Sequence, residues 1–74
     1  MASIDAVAEV TGVVFSILVE VGETVDEGHE LMILESMKME VPVYAPAAGT
    51  VSSIRFDEGE VVEQGAVVAI LTTG

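Results

Sequence analysis

The apolar residues of this chain recur in two matching sets. Val14, Ile17 and Val19 are followed by Gly22, Val25, Gly28 and the run Leu31–Leu34; Val51, Ile54 and Phe56 are followed by Gly59, Val62, Gly65 and the run Val67–Leu71. A shift of 37 positions carries the first set onto the second, taking Gly12 onto Gly49, Ser16 onto Ser53, Glu23 onto Glu60 and Ile33-Leu34 onto Ile70-Leu71. Each half reads Gly-x-Val-x-x-Ile, then Gly-Glu-x-Val-x-x-Gly, then a short apolar run. Valine and isoleucine dominate, and glycine–acid clusters interrupt the segments at intervals too small for helices, so the pattern predicts short strands and almost no helix.

Two details sharpen the expected fold. Val14, Ile17 and Val19 are spaced three and then two apart, which breaks strict alternation and predicts a bulge near Phe15-Ser16, with its counterpart in the second half. The continuous runs Leu31–Leu34 and Val67–Leu71 predict strands covered on both faces. Neither half can bury its own apolar face, so each must cover the other. The expectation is an all-β flattened barrel or sandwich: two small antiparallel sheets, about eight short strands, and quasi-two-fold symmetry within one domain spanning residues 1–74.

The repeat fails at one place. Met37 aligns with Gly74 and Lys38 with a position beyond the chain, so in a two-fold arrangement Lys38 and the chain end occupy opposite poles. If Met37-Lys38 is a two-residue hairpin loop, Ser36 faces Met39, Glu35 faces Glu40, Leu34 faces Val41 and Pro42 faces Ile33, the last at a rung that needs no amide donor. Met-Lys is a poor choice for such a loop, since both residues must adopt positive φ. Facing glutamates also repel. The tip is therefore ill suited to stability and suited to something else.

Composition narrows what that is. Thirteen acids against Lys38 and Arg55 give a formal charge of -11, which repels nucleic acids and anionic membranes. The apolar runs are far shorter than the ~20 residues of a membrane span, and Met1-Ala2-Ser3-Ile4-Asp5 does not read as a signal peptide. A cytoplasmic location is expected, or an organelle matrix if a targeting segment has been removed. The chain has no cysteine and a single histidine, His29, beside Gly28, which reads as a turn residue and leaves no metal-ligand set. Arg55 reads as a surface charge on a strand, Ser36 as tip packing, Glu63-Gln64-Gly65 as turn, and Tyr44, Phe15 and Phe56 as core or semi-buried packing.

A catalytic lysine is desolvated or set beside other cations so that its free amine is available. Glu35 and Glu40 favour the ammonium instead. Lys38 is thus better suited to being acylated by another protein than to catalysis, and Met37 and Met39 offer adaptable apolar contact to that protein.

Glu35-Ser36-Met37-Lys38-Met39 resembles the attachment motif of biotinyl domains, the biotin carboxyl carrier modules of biotin-dependent carboxylases. Ala45-Pro46-Ala47-Ala48-Gly49-Thr50-Val51 and both Gly-Glu-x-Val-x-x-Gly turns fit the same family, so the resemblance covers roughly Ala8 to Leu71. Lipoyl domains share the fold but typically carry Asp-Lys-Ala at the tip; the methionines favour biotin, with a lipoyl carrier as the alternative. Many members have alanine where Ser36 stands, and no inserted thumb is present. The resemblance implies a non-catalytic carrier. A biotin protein ligase would transfer biotin from biotinyl-adenylate to Lys38, with Met37 and Met39 as flanking recognition residues and Glu35, Ser36 and Glu40 completing the tip. The partners it implies are that ligase, a biotin carboxylase and a carboxyltransferase, between which the biotin shuttles carboxylate.

Overall fold

A computed structural model of the chain describes residues 2–73. In chain order the strands are β1 (Ala2–Val7), β2 (Gly12–Ile17), β3 (Thr24–Val25), β4 (Glu30–Ser36), β5 (Met39–Tyr44), β6 (Gly49–Ile54), β7 (Val61–Val62) and β8 (Val67–Thr73). The bounds of β5 to β8 are those of β1 to β4 advanced by the 37-residue shift. Connections run from two to six residues, which leaves no room for a thumb.

Two four-stranded antiparallel sheets form, with orders β1-β8-β6-β3 and β5-β4-β2-β7. Each sheet draws two strands from either half of the sequence. The short strands cross between the halves, as β1 and β5 do: β3 pairs with β6 (Thr24↔Thr50), and β7 pairs with β2 (Val13↔Val61). The β1 and β5 edges approach each other where the sheets meet. Neither half is therefore a self-contained folding unit, and most tertiary contacts are far apart in sequence. The folding rate of such a topology is set by non-local pairing rather than by chain length.

The Gly-Glu turns fasten the exchange. Gly22 and Gly59 have φ of 96° and 93°, accessible to glycine without the Cβ penalty. Their amides donate to Val51 O at 2.7 Å and Val14 O at 2.8 Å, and each bond thereby joins one half to the other. The glutamate that follows closes its own turn twice. Glu23 N donates to Glu20 O while its carboxylate accepts from Glu20 N, at 3.0 and 3.1 Å; Glu60 does the same with Asp57, at 3.1 and 2.7 Å. The Gly-Glu pair is thus one device used twice, glycine for the backbone turn and glutamate for the orphan amide.

The pairing registers shift between Val14 and Ser16 and between Val51 and Ser53, so the extra residues are Phe15 and Ser52, where the broken alternation predicts a bulge. A second pair of bulges falls at Leu31 and Val68. These correct the expectation of strands covered on both faces. Leu31 and Met32 are buried in succession, as are Val68 and Ala69, because the bulge turns two consecutive side chains inward. Ile33 and Ile70, next along, are only half-buried on the outer face. A continuous apolar run here records a bulge, not a second cover.

The core is correspondingly symmetric. Val14 and Val51, Val25 and Val62, Leu34 and Leu71, and Ala8 and Ala45 are all buried. Phe56 packs partly against this cluster, as expected, whereas Phe15 and Tyr44 are exposed on the outer face of the β5-β4-β2-β7 sheet or its edge. Phe15 is the bulged residue, and Tyr44 lies at the end of an edge strand.

Candidate functional site: the β4–β5 hairpin

Strands β4 and β5 pair Ser36↔Met39, Glu35↔Glu40, Leu34↔Val41 and Ile33↔Pro42, which leaves Met37-Lys38 as a two-residue loop. In such a hairpin the closing rung, Ser36↔Met39, is hydrogen-bonded and the rungs alternate behind it, so Ile33↔Pro42 is a non-hydrogen-bonded pair. The Pro42 nitrogen then points away from β4. Because β5 is an edge strand, no neighbouring strand requires that amide, and the proline blunts the edge against further pairing.

Met37 and Lys38 have φ of 51° and 65°, and they are the non-glycine residues with positive φ among the described residues. Two successive left-handed residues make a type I′ turn, the two-residue turn whose twist matches the flanking strands. The cost falls on residues with side chains, about 1–2 kcal/mol per residue in this region. Met37→Asn, which tolerates this conformation, should raise stability by about 0.5–1 kcal/mol, seen as a Tm higher by roughly 2–8 °C. An unchanged or lower Tm would mean that the turn is not strained at Met37.

Lys38 stands exposed at the apex of this turn. Met37 is 92% exposed and Met39 65%, so the methionines do not fold back on the core. Ser36 is half-buried at the closing rung, while Glu35 and Glu40 face each other, exposed, one rung behind. All six tip residues expected from the sequence are thus brought together by one hairpin. An exposed primary amine on a rigid apex, free of covering side chains, is the donor an amide-linked cofactor requires.

The opposite end of the fold repeats the geometry without the chemistry. The rung Ala2↔Thr73 is the counterpart of Met39↔Ser36, and the repeat partner of Met37, Gly74, lies outside the described residues. Arg55 sits exposed just beyond β6 rather than within a strand, though its amide still donates to Val68 O at 2.9 Å. His29 is an exposed turn residue whose amide donates to Asp26 O and whose carbonyl accepts from Ala45 N. Among the described residues no His/Cys/Asp/Glu group is disposed to hold a metal ion. A cleft of about 520 Å³ runs along the β1–β5 seam, away from the turn, and its polar lining is two carboxylates, Asp5 and Glu9, with Tyr44.

The outer face beside the hairpin was not legible in the sequence. Val13 pairs with Glu35 on one side and with Val61 on the other, which sets two exposed valines in line with the facing glutamates. A valine–valine match was visible only once β7 was known to pair with β2.

Known proteins of similar sequence and structure point the same way. The family model described as biotin-requiring enzyme matches residues 2–71. The chain is 38% identical over 68 residues to the biotinylated protein TB7.3 homolog of Mycobacterium leprae, covering 92% of this chain and 96% of that one. It is 51% identical over 43 residues to the biotin carboxyl carrier protein of Streptococcus mutans, covering 58% of this chain but only 33% of that relative. In structure it superposes on the urea carboxylase of Kluyveromyces lactis with a TM-score of 0.92 and 32% identity, covering 97% of this chain and 6% of the enzyme. With the matched family spanning all eight strands up to Leu71, and with an exposed lysine at the one hairpin where the repeat is interrupted, the chain belongs to the biotin-requiring enzyme family and is a biotinyl domain.

Proposed function

We propose that this chain is a biotin carboxyl carrier in which the Nζ of Lys38 forms an amide with the biotin carboxyl group. The observation that carries the reading is the pair of positive-φ residues, Met37 and Lys38, at the tip of a register-locked hairpin. That turn presents the amine away from the body of the domain, where an active site can reach it. Amide formation on biotinyl-adenylate replaces one N–H bond of the neutral amine with an N–C bond, breaks the acyl C–O bond to the phosphate and releases AMP. The biotin protein ligase removes the proton. Formal charge then passes from -11 to -12 as the ammonium is lost.

Once attached, biotin supplies a ring nitrogen that can be carboxylated and decarboxylated. The chain itself supplies a stiff base for the lysine and an acidic body that discourages adhesion to other polyanions. A biotin carboxylase and a carboxyltransferase are the partners between which the arm would move. Curated relatives and structural neighbours include multi-domain carboxylases, which supports that setting.

The test is intact mass spectrometry after incubation with a biotin protein ligase, ATP and biotin. One added biotinyl group, mapped to Lys38 by peptide fragmentation, is the expected result. Loading by a lipoate-attaching enzyme with none by biotin ligases would overturn the assignment in favour of a lipoyl carrier.

A further inference from the structure

The internal repeat provides a comparison within one molecule. Positions related by the 37-residue shift have the same backbone surroundings, so where their side chains differ the fold alone does not account for it. Inward-facing positions are apolar in both halves. In the outer row beside the lysine turn the two halves differ in polarity.

Across the β5-β4-β2-β7 sheet, one rung behind the lysine turn, the facing residues are Glu40, Glu35, Val13 and Val61. Across the other sheet, at the opposite pole, the equivalent row is Ser3, Thr72, Thr50 and Thr24. Val13 is 39% exposed and Val61 66%. Beyond them Phe15 is 54% exposed, where its counterpart Ser52 turns its hydroxyl onto Ile70 O at 3.0 Å. Thr50, Thr24 and Ser52 show that the same strand geometry accommodates polar side chains at all three places. Threonine is as well suited to a strand as valine, so exposing valine to water at Val13 and Val61 gives the fold nothing. Isolated exposed apolar residues are ordinary; a contiguous set confined to one of two equivalent faces is a contact surface.

We infer that Val13, Val61 and Phe15 form the docking surface for the enzyme that acylates Lys38. This rests on the carrier reading above. Strand spacing places Val13 and Val61 roughly 10–15 Å from the turn. An enzyme that draws the lysine amine into its own active site must cover the surface around the turn, and even a small specific interface buries several hundred Å² per partner, a disc of about that radius. A carboxylase active site, by contrast, meets the cargo at the far end of the lysine and acyl chains. The partner surface has a defined chemistry: apolar at its centre to receive the valines and Phe15, with lysine or arginine toward Glu35 and Glu40. A second copy of this chain does not supply that complement, since each carries a formal charge of -11.

The test exchanges side chains between the two faces. Val13→Thr with Val61→Thr installs the residues of the opposite face and preserves β-branching, so folding is retained and Tm serves as the check. With a biotin protein ligase the double variant should show kcat/KM lower by about 5- to 20-fold, through KM rather than kcat because docking is lost equally from the ground and transition states. Phe15→Ser should act in the same sense. The reciprocal pair Thr24→Val with Thr50→Val should leave both constants at wild-type values. Wild-type kinetics in the Val13/Val61 variant would overturn the inference, as would a loss confined to kcat. So would a wild-type dimer that dissociates in the variant while KM stays fixed, since the face would then serve self-association. Failure of the wild-type chain to accept biotin would instead remove the carrier reading itself.

Discussion

Lys38→Arg should fold as the wild type does and accept no biotin. The substitution holds nearly everything constant except the acceptor atom. Lys38 is exposed, so no packing is lost, and arginine keeps the formal charge at -11. Arginine meets the same steric cost as lysine at φ 65°, so the turn is not penalised further. What disappears is an amine that can shed a proton and attack an acyl carbon. The guanidinium stays protonated at any working pH and delocalises its lone pairs. Lys38 is the sole lysine in the sequence, so no neighbouring side chain can substitute for it. Intact mass and a streptavidin gel shift should both report complete loss, with stability within about 0.5 kcal/mol of wild type, as for other surface substitutions. Biotin still found on the Lys38→Arg chain would show that Lys38 is not the acceptor.

Why was that acceptor legible from the amino acids, when the surface around it was not? The hairpin is a local object. Its register follows from a two-residue loop, and Ile33 facing Pro42 is then forced by counting. The repeat is likewise written in the chain, because Gly12 and Gly49 or Val14 and Val51 occupy equivalent backbone positions. The bulge at Phe15 was visible because it disturbs an alternating pattern. The bulge at Leu31 was hidden, because both residues it turns inward are apolar and leave no break in the run. Strand exchange was equally hidden, since β3 and β7 are two residues long and no short-range rule tells such a strand which half to join. Without that pairing, Val61 has no spatial neighbour, and Val13 reads as one more strand valine. Phe15 and Tyr44, which read as core or semi-buried packing, are exposed beside a core of aliphatic side chains and Met32, with Phe56 alone of the aromatics packed partly against it.

Gly12→Ala and Gly49→Ala should each cost far more than an ordinary glycine-to-alanine change, and they should differ in what they do to biotin loading. An alanine Cβ at Gly12 would lie 2.6 Å from the carbonyl oxygen of Glu35, and one at Gly49 would lie 2.7 Å from that of Thr72. Neither glycine adopts positive φ, so backbone conformation itself accepts alanine. In open space alanine would then gain about 0.4–1 kcal/mol by restricting the unfolded chain. Here the obstacle is main chain, which cannot rotate aside. Relieving it means shifting the end of β4 or of β8, at a cost of about 1–3 kcal/mol for overpacking, or roughly 4–8 °C in Tm for each kcal/mol. Thermal unfolding should show similar losses for the two variants, because the repeat makes their surroundings equivalent. Their effects on biotin loading should separate. The strand displaced by Gly12→Ala carries Glu35 and Ser36 and leads directly into the Met37-Lys38 turn, so loading by the ligase should slow. The strand displaced by Gly49→Ala ends at the opposite pole and leaves the lysine where it was. Equal Tm losses with unequal loading rates would separate positioning of the lysine from stability of the fold. Unchanged Tm in both variants would show that neither close approach constrains the sheet.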